Sequence, residues 1–72
     1  MKYPVGTKFV PRRKHRIVHE VIDYHVTRNL GGIVVKERYV TSHMFCGQEV
    51  IDYDVIETTI ARGRLVSVPS VI

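Results

Sequence analysis

"RIVHEVIDYHVTRNLGGIVVKERYVTSHMF", residues 16–45, decides the fold. Its opening stretch, residues 16–27, carries the β-branched Ile17, Val18, Val21, Ile22 and Val26 together with Tyr24, and both types suit a pleated surface. Val18, Ile22, Tyr24 and Val26 fall on one parity. The other parity mixes Ile17 and Val21 with His19, Asp23, His25 and Thr27. The first parity is therefore the expected core face, with Glu20 at a bend or at the rim. "RNLGG", residues 28–32, supplies residues that tolerate positive φ, so a hairpin loop of about four or five residues is expected there. Residues 33–45 read as a second long strand with no cleanly apolar face. Val34, Val40 and Met44 alternate with Val35, Tyr39 and Phe45, and charged or polar residues sit on both parities. A strand that changes its buried face midway, through a bulge or a strong bend, accounts for this mixture.

Upstream of this hairpin, residues 8–11, "KFVP", read as a short first strand stopped by Pro11, and Pro4 and Gly6 break the lead-in segment, residues 1–7. Downstream, "CGQ" is a tight turn on Gly47 and "EVI", residues 49–51, resumes a strand. "DYDVIETTIARG", residues 52–63, admits two readings. Asp54 and Glu57 have capping-box spacing, Ile56 and Ile60 are four apart, and Gly63 suits a C-cap, which together describe a short helix. The β-branched Val55, Ile56, Thr58, Thr59 and Ile60 are poor helix formers, so the expectation is a turn at residues 52–54 and a strand over 55–61. At most one short helical turn is expected, near residues 52–57. "RLVSVPSVI", residues 64–72, adds an edge strand or a frayed tail that would suit pairing of two copies. Short strands, glycine turns and little helix make the chain all-β. The expected architecture is a small, strongly bent, five-stranded SH3-like or OB-like barrel, with a strongly bent meander as the alternative.

The chain has 72 residues, enough for one domain with a modest core. Its single cysteine, Cys46, allows no intrachain disulfide and suits a reducing compartment. No apolar run approaches the roughly 18 residues of a membrane span and no signal-peptide layout opens the sequence, so a cytoplasmic protein is expected. Charge is distributed unevenly. Residues 1–16 carry Lys2, Lys8, Arg12, Arg13, Lys14 and Arg16 without an acid, for +6. The rest sets five basic residues against seven acids, for −2, giving the net charge of +4. Such asymmetry marks a local site for an acidic partner.

No motif for catalysis stands out. Glycine-rich phosphate loops and G-x-S-x-G are missing, and Asp52 and Asp54 read as turn residues that bond their own backbone. His43 with Cys46 would make a nucleophile and base, but nothing else supports that pairing. Metal ligation also lacks a pattern. On a strand, His15 and His19 would stand about 13 Å apart at ~3.3 Å per residue, and His43 with Cys46 offers only two ligands. Neither catalytic residues, cofactor nor metal is expected, and the protein is expected not to be an enzyme.

Binding is the stronger expectation. Lys8, Arg12, Arg13, Lys14 and Arg16 cluster on the connection between the first two strands, and Arg38 beside Tyr39 suits a sheet face. This set would hold an acidic patch on a partner protein, with Arg and Tyr as anchors. Alternatively it would neutralise phosphates while aromatic residues such as Tyr3, Phe9, Tyr24, Tyr39 and Tyr53 stack on bases. Edge strands or the 64–72 tail would serve a homodimer.

The pieces "GTKF", "RYV" and "TTIARG", set in the wider layout of residues 4–63, resemble small phage-encoded proteins of unknown function. The general shape resembles an SH3-like barrel, a scaffold that hosts many unrelated functions. The phage resemblance implies an accessory protein acting in the host cytoplasm on a host or phage partner, such as an inhibitor of a host nucleic-acid enzyme. It implies no site residues.

Overall fold

The structure, a computed structural model, describes residues 2–13 and 16–69. It is mostly β. The strands are β1 (Lys8–Val10), β2 (His19–Arg28), β3 (Val34–Phe45), β4 (Gln48–Val55) and β5 (Arg64–Ser67), with one helix, α1 (Glu57–Arg62), before β5. All pairings are antiparallel, in the order β4-β3-β2-β1-β5. The short first strand thus lies between β2 and the last strand. β4 and β5 remain edges, so the sheet does not close into the expected barrel. The reason lies in what covers the interior: Ile60 of α1 is fully buried against Tyr3, Phe9, Val21 and Tyr39, where a closed barrel would need β4 to pair with β5.

The central hairpin forms as its sequence asks. Residues 29–33 make the connection. There the Asn29 side-chain Oδ1 accepts bonds from the Gly31 and Ile33 amides at 2.9 and 3.0 Å, an Asx-type cap on the turn. Cys46 and Gly47 form the next turn, both with positive φ, as a two-residue hairpin connection requires.

The expected core face of β2 is the wrong one. Val21 and His19 are buried, whereas Val18, Ile22 and Val26 are exposed. The inversion holds only as far as a bulge. Val21 pairs with Thr41 but Asp23 pairs with Val40, so Ile22 is an extra residue without an opposite number. It shifts the parity, turning Tyr24 inward after His19 and Val21. On β3 both parities are buried at the centre, Tyr39, Thr41 and His43 on one and Val40 on the other, and the strand carries an irregularity of its own at Val35, between the Thr27–Lys36 and Arg28–Val34 pairs.

Residues 52–54 are not a turn. They continue β4, with a bulge between the Thr41–Asp52 and Tyr39–Val55 pairs that absorbs an extra residue. The segment expected to be a strand over 55–61 is instead α1, later in the chain than the helical turn expected near 52–57. The capping box does not form, because Asp54 lies in β4 and meets Lys36 at 3.4 Å, and Ile56 is the N-cap without a side-chain bond. Burial of Ile60 overrides the weak helix propensity of these residues, and Glu57 and Arg62 complement the helix ends. Gly63 ends the helix at a contact only glycine allows: a Cβ there would stand 2.5 Å from the Val10 carbonyl oxygen. Of the expected 64–72 strand, Arg64–Ser67 forms the exposed edge β5, and residues 70–72 lie outside the described residues.

Tyr39 ties the lead-in segment to the sheet. It is 1 % exposed, and its phenolic oxygen accepts bonds from the Lys2 and Tyr3 amides at 3.0 and 3.2 Å. Its ring lies 6.0 Å from that of Tyr3 and 4.8 Å from that of Tyr24. Partial burial, then the Glu37 carboxylate, hold the Tyr24 phenol above its ordinary pKa. The following turn docks on β2, with the Gly6 amide donating to the Val21 carbonyl at 2.7 Å and the Val21 amide to the Thr7 carbonyl at 2.8 Å. Tyr39→Phe keeps the ring and removes the acceptor of two amides. It is expected to lower stability by about 1–3 kcal/mol, seen as a lower urea midpoint with an unchanged slope. An unchanged midpoint would overturn the role assigned to this oxygen.

Candidate functional site

The basic segment is the β1–β2 connection, as expected, and β1 and α1 carry its chemistry to one place. Arg12 and Arg13, both exposed, line an open cleft of about 1170 Å³ with Arg62 of α1, Thr59, and the β4 residues Asp52, Tyr53 and Asp54. Phe9, His19 and Thr41 form its floor. The β4 contribution, residues 51–55, spans the bulge between the Thr41–Asp52 and Tyr39–Val55 pairs.

The other residues expected to bind are dispersed. Lys8 is exposed on β1 away from the cleft lining, and Arg16, exposed with positive φ, also lies outside it. Lys14 lies outside the described residues. Arg38 is half-buried, donates to the Glu37 carbonyl at 2.7 Å and lines a separate smaller groove with Lys36, Glu57 and Thr58. Tyr39 cannot be a binding surface, because it is a core residue whose hydroxyl is engaged by backbone amides. Tyr3 and Phe9 are buried as well, leaving Tyr53, 66 % exposed, as the cleft's accessible aromatic. Arg62 has no signal in the sequence, because it lies just past the strand expected over 55–61 and reaches the cleft only through the last turn of α1.

At the floor stand two histidines that sequence spacing did not bring together. His19 and His43, 3 % and 6 % exposed, stack with ring centroids 4.0 Å apart and planes inclined by 18°. Their approach follows from register. Glu20 pairs with Ser42, which places His19 opposite His43 one step further out, and both share the inward face with Val21 and Thr41. A sequence signal existed: both histidines are twelve residues from Gly31, the centre of the hairpin loop. Asp52, paired with Thr41, is the diagonal neighbour of His43 on β4. Its Oδ2 lies 3.5 Å from His43 Nδ1, close enough for an ion pair but without hydrogen-bond alignment, and among the described residues the nitrogen has no other hydrogen-bond partner. His19 also packs against Phe9, at 5.6 Å between ring centroids. Cys46 is exposed at the β3–β4 turn and is not part of this group.

No protein-family model matches the chain, and no match was found among curated proteins or among solved structures. No helix among the described residues is long and apolar enough to cross a membrane.

The Thr41 hydroxyl is buried and, among the described residues, without a hydrogen-bond partner. Leaving such a group unsatisfied costs about 1–3 kcal/mol, whereas an apolar group of the same shape carries no such cost. Thr41→Val is therefore expected to hold or raise the melting temperature. A clear drop would mean that the hydroxyl has a partner that matters.

Proposed function

We propose that this chain is a non-enzymatic binding module that docks an acidic segment of a partner protein in the cleft between the β1–β2 connection, β4 and α1. The observation that carries this reading is the convergence of Arg12, Arg13 and Arg62 from two separate elements on one open cleft. Guanidinium groups bind carboxylates bidentately and are frequent interface anchors. Asp52 and Asp54 on the opposite wall make the cleft two-signed, which suits a peptide carrying mixed charge and polar groups.

The same features weigh against phosphate as the ligand. The two carboxylates oppose a uniform polyanion of either kind, and what separates the ligands is that most of the aromatic platform that base stacking needs is inside the core, whereas a peptide can set polar or basic residues against Asp52 and Asp54. Tyr53 beside the arginines is the one feature that favours it. At the level of the fold, a small open antiparallel sheet with β1 between β2 and β5 and a short helix before the last strand leaves edges and a cleft available to a partner. We propose, on the resemblance of "GTKF", "RYV" and "TTIARG" to small phage-encoded proteins alone, a partner in a host cytoplasm such as a host nucleic-acid enzyme.

The test is fluorescence anisotropy with two probes, a Glu-rich peptide containing tyrosine and an oligo-dT strand, at about 50 and about 200 mM salt. The peptide is expected to bind, with affinity at least about tenfold lower when Arg12→Ala and Arg13→Ala are combined. Equal binding by the wild type and the double variant would overturn the assignment. Tight oligo-dT binding with no peptide binding would transfer the cleft to nucleic acid.

A further inference from the structure

We infer that His19, His43 and Asp52 form a site for a divalent first-row metal ion of the Zn²⁺ class, with an open coordination position facing the cleft. One ligand atom from each residue lies within 4.8 Å of one from each of the others. Tetrahedral coordination at bonds of 2.0–2.1 Å separates ligand atoms by about 3.3 Å. His43 Nδ1 and Asp52 Oδ2, at 3.5 Å, already stand at that spacing and form a two-atom bite. The His19 ligand atom, within 4.8 Å of both, is the third, and on binding the His19 ring would have to close the distance that remains.

A second observation points the same way. His43 is more than nine-tenths buried, and its Nδ1 faces the Asp52 carboxylate without making a hydrogen bond. A buried ring nitrogen left without a hydrogen bond calls for an occupant, and an ion held between it and the neighbouring carboxylate oxygen supplies one. The neutral imidazoles and one carboxylate carry a single negative charge, which suits a dication. Each ligand comes from a different strand of one sheet, β2, β3 and β4, so the geometry is set by register and not by a flexible loop. Three protein ligands leave one position for water or an anion, and His19 and Asp52 both line the cleft from which it would enter. The arginines at the cleft rim oppose a free cation by charge but favour an anionic fourth ligand. The site stands independently of what the rim binds.

The experiment uses the full chain without a polyhistidine tag. Zn²⁺ is titrated by calorimetry, Co²⁺ by visible absorption, and the histidine ring nitrogens are followed by NMR. The expected result is one ion per chain, d–d bands of tetrahedral intensity with Co²⁺, and shifts at the His19 and His43 rings. Asp52→Asn, whose side chain is partly exposed, should fold and weaken affinity at least about tenfold. His43→Gln should do the same if it folds; Asp52→Asn and the wild-type NMR carry the test if it does not. His25→Ala, at an exposed histidine beside Asp23, should leave binding intact. The inference is overturned by no binding, by affinity that survives Asp52→Asn, by ring shifts confined to other histidines, or by loss of binding in His25→Ala.

Discussion

The phenolic oxygen of Tyr39 is the point on which the rest of the structure depends. It sits on the central hairpin, deep in the core, and receives two amides from the lead-in segment. That capture holds Tyr3 over the interior and leads the chain through the docked turn at residues 4–7 into β1. β1, only three residues long, then serves as the strip on which β5 is added. A small protein with few fully buried side chains cannot spread this duty widely, so one polar group inside the core orders both the packing and the path of the chain.

The central hairpin and its glycine turn were legible because local rules determine them: β-branched runs, a loop rich in residues that accept positive φ, and a second turn at Gly47. The buried face was not legible. A single inserted residue, Ile22, switches the inward parity of β2 partway along, from His19 and Val21 to Tyr24, and no periodicity of side chains announces a bulge of one residue. The helix was hidden for a different reason. Its composition favours strand, and what makes it helical is the place waiting for Ile60 among residues distant in sequence.

The cleft shows the same division. The basic run was visible as charge, yet only Arg12 and Arg13 of the expected residues reach the cleft, because Arg38 and Tyr39 belong to other surroundings. Arg62 and the histidine pair depend on elements meeting in space. The histidine pair was within reach of hairpin arithmetic, since the irregularities at Ile22 and at the far end of the hairpin cancel and restore symmetry about Gly31.

The position of β1 between β2 and β5 also orders the folding of the chain. β2, β3 and β4 are joined by short turns, so their pairing closes small loops. Joining Lys8 to Ser67 or Val10 to Arg64 closes nearly the whole chain, and entropy defers such contacts until the meander exists. The cleft takes one wall from the meander and the other from the late-arriving pieces, β1's following loop and α1. Ligand recognition is thereby placed on the seam between the early and late parts of the fold. That seam is where amide exchange should open first, and a bound ligand acts there as a clasp.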